Sequence, residues 1–226
     1  MAASLPLFPL DTVLLPGATL PLHVFEPRYR QLTLDLVTGV VPDRRFGIVA
    51  MREGWAPDQH GMAGLHEVGC AAELLDARRL PDGRFDIVTR GGRRFRLLDL
   101  DAESKPYLVG TVEYLPDDPA APEHDDPAPA LAAAARAAYR RYCATAWRGD
   151  VRTEPGPDVA LDTLAHVLAA DCLLSIEDRQ QLLEQTCPAE RLRMVRAILV
   201  RETELLTQLH AVPASIRSFA VEHSPN

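Results

Sequence analysis

Lysine is nearly absent from this sequence, which limits the chemistry that the chain can perform. Lys105 is the only lysine among the 24 basic residues, and Pro106 follows it. A phosphate-binding loop needs Gly-Lys-Ser/Thr so that the ammonium group reaches the β- and γ-phosphates, and no such tripeptide occurs. A Ser-Lys dyad or a Schiff base would have to use Lys105, whose charged, proline-containing neighbourhood predicts an exposed loop that does not desolvate the amine. These residues argue against a P-loop ATPase and a lysine-dependent peptidase.

Metal-binding and other catalytic patterns are also missing. The nearest approaches to a metal site are His60 with His66 and the acidic run 123–126, and neither has a second ligand pair at helical or hairpin spacing. The four cysteines contain no C-x-x-C and are expected to be reduced: Cys70, Cys143, Cys172 and Cys187. G-x-S-x-G, G-x-G-x-x-G and H-E-x-x-H do not occur. We therefore expect no metal, no cofactor and no catalytic residue, with a convergent active site as the remaining enzymatic alternative.

Arginine is concentrated in one segment, which leaves two interpretations open. Seven arginines fall between residues 78 and 96: Arg78, Arg79, Arg84, Arg90, Arg93, Arg94 and Arg96. They could form a phosphate-binding face for RNA or a nucleotide. Asp76, Asp82 and Asp86 lie in the same segment, and strand alternation sends neighbouring side chains to opposite faces. We favour a solvated, ion-paired arginine face, so nucleic acid is not the expected partner.

Composition and charge place the chain among ordinary globular proteins. It has 226 residues, 47% hydrophobic and 25% charged, with a net charge of -8. The longest run without a formal charge, Thr12 to Phe25, is too short to span a bilayer and is interrupted by prolines. No basic residue precedes the first apolar residues, so we expect a cytoplasmic protein that does not enter the membrane. Residues 116–129 hold five prolines, five acidic residues and no basic residue, which predicts a semi-rigid linker.

Residues 1–115 are predicted to be rich in β-strands. Short apolar and β-branched runs recur between turn signals: Leu5–Leu10, Thr19–Phe25, Arg45–Met51, Val68–Ala77, Arg84–Thr89, Arg93–Leu100 and Tyr107–Leu115. Pro81-Asp82-Gly83 predicts one hairpin turn and Gly91-Gly92 the next. One helix, from Pro27 to Gly39, interrupts the strands. This spacing favours a small barrel or sandwich.

Residues 130–226 are predicted to be helical. Helices are expected over 130–147, 159–173, 175–185 and 188–209, the third opened by a capping box at Ser175 and the fourth by Pro188. Tyr139, Tyr142 and Trp147 could line a ligand groove, although packing between the halves is the more common role of such residues. The fold class is therefore α+β, with the linker 116–129 between the two parts.

Several motifs resemble one known family. Leu5-Pro-Leu-Phe-Pro-Leu10, Val13-Leu-Leu-Pro-Gly17 and Leu20-Pro-Leu-His-Val-Phe-Glu-Pro-Arg-Tyr29 resemble the opening of the Lon protease N-terminal, substrate-binding domain, in its stand-alone bacterial form. Val68–Glu73, Leu80–Arg84, Gly91–Phe95 and Pro106-Tyr107 follow in family order, and Leu173 to Leu206 resembles the domain's last helices. The resemblance covers about residues 4–210.

The resemblance implies a PUA-like pseudo-barrel followed by a C-terminal helical bundle. It also implies a non-enzymatic module that binds unfolded polypeptide or a partner protein, because the ATPase and peptidase motifs are missing. An RNA- or nucleotide-binding PUA-like module is the alternative.

Concave surfaces between two parts of a fold commonly bind ligands, and aromatic residues and arginine dominate binding energy. We therefore place substrate near the junction of the halves, at Phe25, Glu26, Arg28, Tyr29 and Trp147. For Glu26, a helix cap or an ion pair is the alternative. Phe8, Leu22 and Phe25 are also expected to belong to the core.

Overall fold

A computed structural model of the protein describes residues 2–52, 54, 61–118, 128–147 and 154–209. Strands make up most of the first half of the chain. They are β1 (Ala2–Leu10), β2 (Thr19–Val24), β3 (Arg45–Ala50), β4 (Val68–Arg79), β5 (Phe85–Asp101) and β6 (Val109–Tyr114). Their order is β2-β5-β4-β3-β1-β6, and β5 also pairs with β6. The last five strands of that order therefore close into a ring. Among the described strands, β2 pairs with β5 alone and lies outside the ring.

β5 is one long strand, so the predicted turn at Gly91-Gly92 is wrong. Its first part pairs with β2 and its last part with β6. Gly91 allows a close approach of two backbones: its N–H donates to the Ala18 carbonyl at 2.8 Å, and its own carbonyl accepts from Gly17 at 2.9 Å. A side chain at position 91 would overlap the carbonyl oxygen of Leu15. Glycine inside a strand commonly marks such an approach rather than a turn.

Local sequence signals set the first helix and the first hairpin as predicted. Helix α1 (Pro27–Thr38) has proline at its first position and ends at Gly39, whose φ of 82° is the left-handed conformation that glycine adopts without strain. The turn between β4 and β5 is closed by the Leu80 N–H, which donates to the Arg84 carbonyl at 2.8 Å. Both predictions are confirmed. They succeed because each signal depends on residues within one turn of the chain.

Four helices follow in the second half of the described chain. They are α2 (Ala128–Ala146), α3 (Leu161–Ala170), α4 (Ile176–Glu184) and α5 (Pro188–Leu209). The predicted cap of α4 is confirmed, since the Ser175 hydroxyl accepts from the Asp178 N–H at 3.1 Å. None of the described helices is both long and apolar enough to cross a bilayer. The ring of strands followed by helices confirms the α+β class.

The strands and helices share one apolar core. Phe46 and Leu74 from the strands belong to the same buried cluster as Leu168, Leu182 and Leu199 from the helices. A smaller cluster lies among the strands of the ring and includes Leu7, Phe95 and Val112. The two parts of the chain therefore bury apolar surface against each other. Most of the predicted linker, residues 119–127, lies outside the described residues.

A buried ion-pair network also joins the two parts. Asp117 lies between Arg94 of β5 and Arg191 of α5, whose side chains are 3% and 0% exposed. Arg94 also donates to the carbonyl oxygens of Leu183 and Gln185, both at 2.9 Å. The prediction that Arg94 belongs to a solvated arginine face is therefore wrong. Buried guanidinium groups need such partners, because an unpaired buried charge is very costly.

Candidate binding site

A depression of about 380 Å³ lies where the ends of β1 and β2 meet the start of α1. Its walls come from three short stretches of chain, together with one residue that follows β3: Phe8–Asp11, Leu22–Glu26, Arg28-Tyr29 and Met51. Cavities of this size can hold small ligands or part of a larger one. Phe25, Glu26, Arg28 and Tyr29, four of the five residues proposed from the sequence, are among those that line it.

Phe25 is exposed, so the expectation that it belongs to the core is wrong. Its exposed fraction is 62%, the highest among the large hydrophobic residues described. Along β2 the side chains of Leu20, Leu22 and Val24 pack on the main core. Thr19, Pro21, His23 and Phe25 alternate with them and face solvent. The Phe25 ring lies 6.5 Å from the His23 ring, so two exposed rings stand side by side at the rim.

Tyr29 and Arg28 form a rigid wall of the depression. Tyr29 is 3% exposed, and its ring stacks on that of Phe8 with 3.9 Å between centroids and 11° between planes. The guanidinium carbon of Arg28 lies 4.7 Å from the centre of the Tyr29 ring, a cation–π contact. Burial raises the pKa of Tyr29 to about 12, against a smaller lowering by Arg28. Tyr29 is therefore neutral near pH 7, and its ring packs in the wall of the depression.

Glu26 is paired with a neighbouring side chain rather than capping the helix. Its Oε2 accepts from Arg28 Nε at 3.0 Å, and its carboxylate makes no side-chain bond to the first turn of α1. Of the alternatives that the sequence left open for Glu26, the structure shows the ion pair. The pair holds Arg28 over Tyr29 and places one negative and one positive group at the rim.

Trp147 does not line this depression. It follows the last residue of α2, is half-buried, and packs against the main core together with Cys143. The structure therefore brings together the four residues from the start of α1 and leaves Trp147 apart from them. The depression belongs to the strand part of the chain and not to the junction between the two halves.

Sequence reasoning did not select His23, Met51 or Asp11 for the site, although all three line it. A signal for His23 was present, since alternation along Thr19–Val24 puts His23 on the same face as Phe25. Met51 and Asp11 follow different strands, and only the parallel pairing of β1 with β3 brings them together. No pattern in the sequence indicates that pairing.

The arginine-rich hairpin is ion-paired on its exposed face. Arg78 Nη2 donates to Asp86 at 2.6 Å and Arg84 Nε to Asp82 at 2.6 Å. Bonds from Arg84 lower the pKa of Asp82, and bonds from Arg78 and His23 lower that of Asp86. Arg90 lies 3.5 Å from Glu73. These arginines therefore face carboxylates, which does not favour a phosphate-binding surface.

The described residues show no grouping suited to metal binding, and one buried thiol is unreactive. Within that part of the chain, no three His, Cys, Asp or Glu side chains cluster as metal ligands would. His60 and residues 123–126 lie outside the described residues. Burial raises the pKa of Cys70 to about 12, so this thiol is protonated at neutral pH and is a poor nucleophile.

The chain is similar to about a quarter of the length of several Lon proteases. It is 30% identical to Lon protease of Anaeromyxobacter dehalogenans over an alignment of 225 residues, which covers 95% of this chain and 25% of that protein. It is 28% identical to Lon protease 1 of Thermus thermophilus over 209 residues, again spanning 25% of that protein. The chain thus covers about a quarter of the length of these relatives.

Solved structures of similar length share the fold. The Lon N-terminal domain protein from Xanthomonas campestris has 29% identity and a TM-score of 0.58, covering 86% of this chain and 98% of its own. The N-terminal domain of Mycobacterium avium complex Lon protease has a TM-score of 0.60 at 21% identity, covering 89% and 98%. The family profile of the ATP-dependent protease La (LON) substrate-binding domain matches residues 4–201. With its fold and most of its sequence matched in this way, the chain belongs to the LON substrate-binding domain family.

Proposed function

We propose that this chain is a non-enzymatic module that binds polypeptide, either an unfolded chain or a partner protein, in the depression beside Phe25. The observation that carries the proposal is the 62% exposure of the Phe25 ring at the rim. An exposed phenylalanine costs solvation free energy, which a ligand that covers the ring would recover. Phe25 directly follows strand β2, and a phenylalanine side chain has few rotatable bonds, so little side-chain entropy is lost when it is covered.

The walls of the depression supply what a peptide-binding site needs. Leu22, Met51 and the stacked rings of Phe8 and Tyr29 provide apolar contact, and methionine adapts easily to different partners. Asp11, His23 and the Glu26–Arg28 pair provide a polar rim. An apolar centre with a polar rim that includes arginine is common at protein interaction sites.

The family supports the same function. Its description names a substrate-binding domain of an ATP-dependent protease, and the substrate of a protease is a polypeptide. The single lysine, Lys105, is exposed and belongs to neither an ATPase phosphate-binding loop nor a Ser-Lys dyad. Binding without catalysis is therefore the activity that we assign to these residues.

The test is binding of a labelled, permanently unfolded polypeptide, such as reduced and carboxymethylated lactalbumin, followed by fluorescence anisotropy. Phe25→Ser should weaken binding by on the order of 2 kcal/mol, or about 30-fold, because the aromatic contact is lost. Leu98→Ser is the matched control, since Leu98 is also exposed, at 45%, and lies outside the depression. It should leave the affinity within about twofold.

Three results would refute the proposal: no binding by the wild-type chain, equal losses in both variants, or full affinity in Phe25→Ser. A salt series tests the RNA alternative with an oligoribonucleotide probe. Phosphate binding weakens steeply between about 50 and 200 mM salt, whereas apolar peptide binding does not.

A further inference from the structure

β2 is an edge strand, and its outer edge has no partner among the described strands. Among the described strands its only partner is β5, along Thr19–Val24 against Arg90–Phe85. Edge strands present unpaired backbone N–H and C=O groups, and proteins usually cover or blunt them. Here Pro21 removes one donor from the edge, but the other positions keep theirs.

The hydrogen bonds to β5 show which backbone groups point outward. The Gly91 N–H donates to the Ala18 carbonyl at 2.8 Å and the Gly91 carbonyl accepts from the Gly17 N–H at 2.9 Å, so Gly17-Ala18 lie opposite Gly91 at a hydrogen-bonded position of the ladder. In an antiparallel ladder such pairs alternate, so Leu20, Leu22 and Val24 also bond toward β5. Thr19, Pro21 and His23 therefore direct their backbone groups away from β5. Within the described residues, no other backbone group bonds to them.

The outward edge opens into the depression beside Phe25. Leu22, His23 and Val24 form one wall, and Phe8–Asp11 at the end of β1 face them across the depression. No described strand occupies the space between these two walls. The outward backbone N–H and C=O of His23 therefore lie next to an apolar depression, and both features are open to the same ligand.

We infer that the ligand is an extended polypeptide segment that adds to the outer edge of β2 as a further strand and places one apolar side chain against Phe25. This inference rests on the proposed function and specifies how the polypeptide is held. An extended chain offers N–H and C=O groups at the spacing of the free edge, whereas a helix has already used its own. Backbone bonds of this kind recognise conformation more than sequence, which suits a module that binds many unfolded chains.

The inference is tested first with variants of His23. His23→Pro removes the imidazole and the outward N–H, whereas His23→Ala removes the imidazole alone. The ratio of the two dissociation constants reports the backbone hydrogen bond alone. His23→Pro should therefore bind about 3- to 10-fold more weakly than His23→Ala. Proline is tolerated where the N–H of an edge strand faces solvent, and near-UV circular dichroism checks the fold. Equal affinities of two folded variants would overturn the inference.

A second test modifies the ligand and needs no variant. The probe is a fluorescein-labelled nonapeptide with threonine at the even positions, valine at the odd positions and phenylalanine in place of the central valine. One derivative is N-methylated at the threonine positions, and the other at the remaining positions. Alternate N–H groups of a strand point to opposite sides, so one derivative should lose about tenfold in affinity and the other should bind like the parent peptide.

The outcomes separate this inference from the proposed function. If the parent peptide binds, depends on Phe25 and is unaffected by either methylation, the function stands and strand addition is wrong. If methylation at one set of positions weakens binding and hydrogen exchange at the His23 amide slows on saturation, strand addition is supported. If neither the peptide nor the unfolded polypeptide binds, both proposals fall together.

Discussion

Both carboxylate oxygens of Asp117 bond to the guanidinium of Arg191, Oδ1 from Nη1 and Oδ2 from Nη2, each at 2.7 Å. Such two-point pairing is the strongest form of an ion pair, because both donors are aligned. Asp117 lies three residues beyond the end of β6, and Arg191 lies in the first turns of α5. With Arg94 on its other side, this one carboxylate links the strand ring to the longest helix.

Asp117→Asn should destabilise the protein by about 3 kcal/mol, because it leaves two buried guanidinium groups without a counter-charge. Urea unfolding followed by far-UV circular dichroism measures this loss. Asp99→Asn is the control, since Asp99 is an exposed carboxylate on β5, and its loss should change stability by less than about 0.5 kcal/mol. Equal small effects of both substitutions would show that the network does not stabilise the fold.

Stability should fall as the pH is lowered below about 6.5, in part because of His166. Burial, and then the nearby charge of Arg191, lowers its pKa to about 3. An unfolded histidine has a pKa of about 6.5, so between these values the unfolded state binds one more proton. The free energy of unfolding should then drop by about 1.4 kcal/mol per pH unit from this residue.

His166→Gln tests this prediction. The variant should be less stable at pH 7, since Nε2 of His166 lies 3.1 Å from the Leu182 carbonyl, but its stability should fall less steeply between pH 6.5 and 4. Urea titrations at four pH values give both slopes. Parallel curves for the variant and the wild type would contradict the assignment.

Gly91→Ala should cost about 3 kcal/mol, because the added methyl group overlaps the Leu15 carbonyl and forces two backbones apart. The neighbouring Gly92→Ala places its methyl group 3.3 Å from the Ala71 carbonyl and should cost less than about 1 kcal/mol. Thermal unfolding of the two variants checks the order. A cost for Gly91→Ala no larger than that for Gly92→Ala would contradict the close approach at position 91.

Cleavage after Glu123 should be the first event in limited digestion with a glutamate-specific protease. The five prolines and five acidic residues of 116–129 leave little apolar surface to bury. The cut should fall beyond 118, because the Asp118 N–H donates to the Thr186 carbonyl at 3.1 Å. The two fragments should remain together on size-exclusion chromatography, since strands and helices share one core. Separate elution would show that this shared core is too weak to hold them.

The sequence predicted those elements whose signals are local. Pro27, Gly39 and Ser175 each mark a helix end through a preference that acts within one turn. The turn predicted at Gly91-Gly92 is wrong because two glycines suit a tight turn and a close approach of chains equally well. The difference depends on residues 15–18, which a local pattern does not include.

The candidate site was predicted in part for the same reason. Glu26, Arg28 and Tyr29 are consecutive or nearly so, and their grouping follows from the start of α1. The exposure of Phe25 could have been predicted, because the alternation along β2 places Phe25 on the same face as His23 and opposite Val24. The burial of Arg94 could not have been predicted, since Asp117 and Arg191, which lie beside it, belong to later parts of the chain.

The closure of the ring has a consequence for how the protein is made. Residues 2–6 of β1 pair with β6, the last of the ring strands to leave the ribosome. At a synthesis rate of roughly 5–20 residues per second, β1 waits on the order of ten seconds for this partner. Pairings so distant along the chain also slow folding itself. During this interval the nascent protein exposes an unpaired strand edge and apolar side chains, so it has the same chemistry as the extended chains that it is proposed to bind.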